Sequence, residues 1–281
     1  MEYGKVYLVP TPIGNLKDIT LRALEVLENV DEIAAEDTRQ SLKLLNHFNI
    51  KKPLFSYHQH NEQGKSDEIL SKLESGKNIA IVTDAGTPGI SDPGSVIVKK
   101  CIENNISFEV LPGATAITTA LVYSGLDTTK FIFRGFIPRE TKERKILTEE
   151  IKDKKETLIF YESPHRLIES LDYLKKSLGN RNIAVCRELT KLHEDIYRGT
   201  IEEAYNWFLE NKPRGEFVLV ISGKTESEIK AEKEQELSGI SVEQQLINLT
   251  NSGIDKKEAI KLVAKEREIP KKEVYKIAIN I

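Results

Sequence analysis

"VTDAGTPGISDPG", residues 82–94, packs three glycines, two prolines and two aspartates into thirteen positions. The apolar run "NIAIV" (78–82) leads into it, and the helix-like "SVIVKKCIE" (95–103) leads out. A plain strand-to-helix connection needs only a few residues. The excess of glycine and proline implies a backbone built to be approached. Within the stretch, Asp92 is read as the N-cap and Pro93 as the first helical position of the helix that follows. Two further turns share the pattern of strand, Gly/Pro/Thr turn and helix: "VPTPIGNL" (9–16) and "VLPGATA" (110–116).

Outward from that turn the chain alternates strand-like and helix-like runs. "KVYLVP" (5–10), "EIAAED" (32–37), "PLFSYH" (53–58), "KNIAIVTD" (77–84) and "SFEVLP" (107–112) read as strands. "TLRALEVLENV" (20–30), capped by Thr20, "RQSLKLLNHF" (39–48) and "SDEILSKLESG" (66–76), ending at Gly76, read as helices. After the small-residue helix "LPGATAITTALVYSG" (111–125), a second series runs through "KFIFRGF", "ERKILTEEIK", "ETLIFYES", "PHRLIESLDYLKKSLG", "NIAVCREL", "TIEEAYNWFLE" and "GEFVLVISG" (130–223). Such alternation predicts an α/β protein with mostly parallel sheets covered by helices. The expected domains are 1–115 and 116–224, both α/β, with a ligand cleft between them. A charged linker and a small helical domain with a helix-turn-helix-like pair occupy 225–281. Residues 251–281 carry eight Lys/Arg against five Asp/Glu. That excess fits either a solvated packing pair or a nucleic-acid contact.

Composition sets limits. The 281 residues are 39% hydrophobic and 30% charged, with a formal net charge of −3, which is ordinary for a globular chain and argues against a generally basic nucleic-acid coat. Cys101 and Cys186 lie far apart in apolar runs and read as reduced packing residues; no CxxC or HExxH spacing suggests a metal. No apolar run approaches a membrane span, and the polar opening "MEYGKVYLVPTP" does not read as a signal peptide, so a cytoplasmic location is expected.

The three turns match neither GxGxxG nor GxxxxGK[ST], and no lysine stands where a P-loop lysine would. A dinucleotide or nucleoside triphosphate is therefore disfavoured. Freed backbone groups suit an adenine edge, a ribose or an amino-acid end. Asp84 fits a ribose hydroxyl acceptor or a simple turn cap.

In order along residues 6–195 stand "LVPTPIGNLKDITLRALEVL", "AAEDTRQSLKLL", "SYHQHNE", "VTDAGTPGISDPG", "VLPGATA", "FRGFIPR", "IFYESPHRL" and "RELTKLHED". On these motifs the chain resembles the ribosomal RNA small subunit methyltransferase I family, tetrapyrrole-methylase-like class III methyltransferases. The resemblance implies S-adenosylmethionine (SAM) as methyl donor and no metal. It implies a cytidine ribose 2′-hydroxyl in the decoding region of 16S ribosomal RNA as acceptor, and a homodimer acting on that RNA or the 30S subunit. It also implies that Pro10, Asp84, Ala85, Gly86, Ile90, Ala114 and Thr115 form the donor site from the first half. Tyr161 and Leu189 would flank the adenine from the second.

A ribose hydroxyl is a poor acid, so a nearby proton acceptor should help. "AEDTR" supplies Glu36, Asp37 and Arg39 at a strand end, where Asp37 and Arg39 could equally form a structural ion pair. "SYHQHNE" supplies His58, His60 and Glu62 at the next strand end. Cationic RNA contacts are expected from Arg134, Arg139, Lys142, Arg144 and Arg166, with Phe133 and Phe136 interleaved. Two other readings stay open: a same-fold methyltransferase with a tetrapyrrole, corrin or diphthine-type acceptor, and a non-catalytic RNA-binding or assembly protein.

Overall fold

The computed structural model describes residues 3–92, 94–230 and 239–279. The chain falls into two compact units, Met1–Gly223 and Lys224–Ile281.

The first unit holds two five-stranded sheets. In the first, β1 (Val6–Leu8), β2 (Glu32–Ala35), β3 (Leu54–Ser56), β4 (Ile79–Val82) and β5 (Phe108–Val110) lie in the order β3-β2-β4-β1-β5, all parallel. Helices α1 (Leu21–Asn29) and α2 (Thr38–His47) bury Ala23, Leu27 and Leu45 on the face carrying Ile33, Ala35 and Val82. Helices α3 (Glu62–Glu74) and α4 (Gly94–Glu103) bury Ile69, Leu73, Ile97 and Cys101 on the opposite face, against Val6, Ala34 and Ile81. Because β1 and β4 are neighbours while the helices after them lie on opposite faces, their following loops diverge and open a crevice at the carboxyl ends of the strands. Thr20 caps α1 by accepting from the Ala23 N–H at 3.0 Å. Helix α4 starts at Gly94; the expected first helical residue, Pro93, lies outside the described residues.

Helix α5 (Ala116–Ser124), stopped by Gly125 at φ 70°, links the halves. The second sheet has the order β6-β7-β10-β8-β9, from β6 (Phe131–Phe136), β7 (Thr157–Glu162), β8 (Asn182–Arg187), β9 (Asp195–Thr200) and β10 (Phe217–Ile221). Across both sheets parallel pairings predominate, but here only β6–β7 is parallel; β7–β10, β10–β8 and β8–β9 are antiparallel. Strand β9 is absent from the sequence reading. It is an edge strand, exposed or half-buried throughout, with no apolar run to mark it, and a short helix-free loop joins it to β8, which forces antiparallel pairing. Helices α6 (Thr141–Ile151), α7 (Leu167–Leu178) and α8 (Ile201–Glu210) pack with Leu158, Phe160, Val185 and Leu219 on one face. The other face, with Ile159, Cys186, Val218 and Tyr161, packs on α5.

The second unit packs α9 (Val242–Asn251), α10 (Lys256–Glu266) and α11 (Lys271–Ala278) around Leu246, Ala259, Val263 and Val274. Leu262 is only half-buried, and Ile277 lies at the edge of that core. Half of the expected linker (224–237) lies outside the described residues.

Candidate active site

The loops after β1 and β4 are fastened together. Thr11 and Gly86 exchange backbone hydrogen bonds, Thr11 N–H to Gly86 O at 2.9 Å and Gly86 N–H to Thr11 O at 3.0 Å. The Thr11 hydroxyl donates to Thr83 O at 3.1 Å, and the Thr87 hydroxyl donates to Ala114 O at 3.1 Å, so the third turn joins the other two. Gly86 sits at φ +86°, a conformation that side chains rarely adopt. Further along the turn, the Asp92 carboxylate accepts from the Gly89 N–H at 2.6 Å and the Gly94 N–H at 2.9 Å. The loop doubles back so tightly that a β-carbon on Gly94 would lie 2.6 Å from Gly89 N. Pro10 packs its ring on Gly113, where a β-carbon would lie 2.4 Å away.

A cavity of about 350 Å³ lies between these loops and the second sheet. Of the residues expected for a donor site, Ala85, Gly86, Ile90, Thr115, Tyr161 and Leu189 line it. Asp84 lines an adjoining cavity of about 390 Å³, which shares Ile13, Ala85 and Glu216 with the first. Pro10 and Ala114 support the wall from behind through Gly113 and Thr87. Residues that sequence reasoning did not assign to the site also line it, among them Ile13, Phe136, Glu162, Cys186, Glu216 and Val218. For Cys186 and Val218 the signal was hidden, because alternation marks a buried face without saying what covers it. Burial pushes the Tyr161 phenol up to about 12, so it stays protonated at neutral pH.

An acidic cluster borders the Asp84 side. Glu36 accepts from the Thr83 hydroxyl at 2.5 Å and from Asp84 N–H at 3.5 Å; Asp84 Oδ1 accepts from Asp37 N–H at 3.0 Å. Burial, then the Glu36 charge, raises the Asp84 carboxyl above its ordinary value. Asp92 is raised too, first by burial. Asp37 behaves oppositely. Its carboxylate caps α2 through Arg39 N–H at 2.8 Å and holds the Arg39 guanidinium at 2.8 Å, which lowers it to about 2. Arg39 is itself largely exposed.

His58 lies two residues past β3, which pairs with β2, the strand that ends one residue before Glu36. Asn61 fixes the turn by accepting from His58 N–H at 2.8 Å and placing Nδ2 3.3 Å from His58 Nε2. His58 Nδ1 is buried without a hydrogen-bond partner. His58, His60 and Glu62 line neither cavity.

The five expected RNA cations separate into two kinds. Arg166 donates to the carbonyls of Ile137 at 2.6 Å and Pro138 at 3.3 Å, and Arg144 donates to Pro138 O at 2.8 Å and pairs with Glu169 at 2.6 Å. Arg134 pairs with Glu150. These three brace the chain after β6, while Arg139 and Lys142 point outward, exposed. Among the described residues no three His, Cys, Asp or Glu side chains are grouped as a metal site requires, and no helix is long and apolar enough to cross a membrane.

Two α/β halves with glycine-rich strand ends meeting over one cleft define a methylase of a known class: the family model for Tetrapyrrole (Corrin/Porphyrin) Methylases matches residues 5–205. Solved structures share this fold. Diphthine synthase superimposes with a TM-score of 0.62 at 14% identity, covering 79% of this chain and 91% of that one. Uroporphyrin-III-C-methyltransferase from Thermus thermophilus gives 0.57 at 21% identity, covering 77% and 94%. Sequence similarity is much stronger to proteins named ribosomal RNA small subunit methyltransferase I. The Halalkalibacterium halodurans protein is 48% identical over 98% of this chain and 95% of its own length, and the Bacillus subtilis protein 48% over 98% and 94%. The chain belongs to the ribosomal RNA small subunit methyltransferase I family, and it is a methyltransferase.

Proposed function

We propose that the chain is a SAM-dependent 2′-O-methyltransferase that modifies the ribose of a cytidine in the decoding region of 16S ribosomal RNA. The observation that carries this reading is the near-full-length identity to relatives named for small-subunit ribosomal RNA, joined to a cavity that six of the nine donor residues expected from sequence line. The residues fit the donor. The cavity falls in the size range of small-molecule sites, its second-half wall is mostly apolar and aromatic with the carboxylates Glu162 and Glu216 at it, and its first-half wall is loop backbone freed by Gly86. In this reading Asp84 accepts from ribose hydroxyls, and Tyr161 and Leu189 hold the adenine. When bound, SAM supplies an electrophilic methyl on a sulfonium.

The chain's own task is to align the acceptor oxygen and remove its proton. The proposed acid–base set is Glu36, Asp37, Arg39, His58 and Glu62. Within it, Asp37 and Arg39 serve each other and the α2 cap, which favours a positioning role. Glu36 orders Thr83 and Asp84, and His58 keeps an unengaged ring nitrogen. Arg139 and Lys142 are the proposed RNA contacts, with Arg134, Arg144 and Arg166 shaping the segment that presents them.

The proposed domains are 1–115, 116–224 and 225–281, the last an accessory helical unit. A homodimer is proposed because Val122, Tyr123 and Leu192 expose a joint apolar surface: Leu192 is 93% exposed, and Tyr123 is tied to the Leu192 loop by its bond to Glu194. The proposed location is cytoplasmic. Mass spectrometry of 16S RNA from a strain lacking the gene tests the reading. One 2′-O-methylcytidine should vanish from the decoding region; an unchanged ribose-methylation map refutes it.

A further inference from the structure

Strand β6 carries an irregularity that its sheet does not require. Phe133 pairs with Ile159 and Phe136 with Tyr161, so three steps along β6 match two along β7. On a regular strand, residues three apart face opposite sides. Here the extra residue, near Gly135 at φ +66°, cancels the alternation. Phe133 and Phe136 therefore both meet the Tyr161 ring, at 4.9 and 5.7 Å between centroids. Bulges are rare between parallel strands, and beside active sites they re-aim a side chain.

The re-aimed side chain is not core. Phe133 packs on the buried face, but Phe136 stays 54% exposed while lining the 350 Å³ cavity. Leaving half of a large ring in water gives up much of its hydrophobic stabilisation, so packing does not explain the bulge. Three features stand together: a ring oriented by a second ring, an accessible surface at a cavity wall, and the exposed, unpaired Arg139 three residues further along.

We propose that Phe136 is a stacking platform for the base of the acceptor nucleotide, which seats that nucleotide's ribose at the cavity. This rests on the RNA reading above and names the substrate contact of the same site. An aromatic face accepts any base, and the nearby cation suits the adjoining phosphate.

The test measures methyl transfer to 30S subunits isolated from a strain lacking the gene, together with SAM affinity by calorimetry. Phe136→Ala is expected to raise the KM for subunits roughly 5- to 150-fold while changing SAM affinity far less. Phe136→Leu, which keeps bulk but loses the π face, should behave like the alanine variant, and Phe136→Trp should restore wild-type KM. Unchanged KM in the alanine and leucine variants overturns the proposal, and so does a loss of SAM affinity as large as the rise in KM, which would make Phe136 a donor contact alone. A wild-type chain that transfers no methyl to RNA overturns both readings; an active wild type with indifferent variants overturns this one alone.

Discussion

Asp84 is the residue on which the proposed donor binding turns. It is partly buried, it sits beside Glu36, and its carboxyl is raised above 3.8. At a pH between 3.8 and that raised value the folded chain holds a proton that the unfolded chain has released. Stability therefore falls as pH rises through this window. The same proton turns one carboxyl oxygen into a donor and removes the charge, which weakens acceptance from a ribose hydroxyl. SAM affinity should thus weaken as pH is lowered through the raised range, which calorimetry at several pH values would show. Asp84→Asn should lose SAM binding yet keep the bond to Asp37 N–H, with flatter stability against pH. Wild-type affinity in that variant would refute the assignment. A second contrast separates two arginines that look alike in sequence. Arg166→Ala should cost about 1–3 kcal/mol of stability in denaturant titration, because two carbonyls lose a partly buried charged donor. Arg139→Ala should leave stability and SAM affinity alone, weaken RNA binding and reduce its salt slope by about 1. Sequence placed both in one basic group, because the carbonyls that Arg166 meets lie nearly thirty residues away and have no signature of their own.

At the scale of elements, the first half was legible because each device there is local. Thr20 caps the helix that follows it, and the glycine-rich turns close on themselves and one another. The turn at 82–94 needs glycine at Gly94 for approach rather than flexibility. Gly94→Ala should destabilise the fold by about 1–3 kcal/mol and loosen SAM binding, since the loop must move off Gly89. Thermal denaturation with and without SAM would measure both effects. The second half was less legible. Edge strand β9 buries no side chain fully, so no apolar alternation announces it. The bulge in β6 depends on register with β7, which no run of residues encodes alone. For the same reason Phe136 read only as an aromatic among cations.

At the scale of the molecule, Met1–Gly223 and Lys224–Ile281 are two compact units. A chain ending at Gly223 should therefore bind SAM with wild-type affinity; a large loss would show that the helical unit supports the donor site. The helical unit itself was legible as a small helical domain with a helix-turn-helix-like pair, but its lysines do not say what they meet. The central claim is methyl transfer to a ribose of small-subunit RNA, and it is tested most directly by incubating the purified chain with methyl-labelled SAM and 30S subunits lacking the modification, then digesting the RNA to nucleosides for mass spectrometry. The account predicts label in 2′-O-methylcytidine from a single decoding-region position. Label on a base, or none on RNA while a tetrapyrrole accepts it, would contradict it.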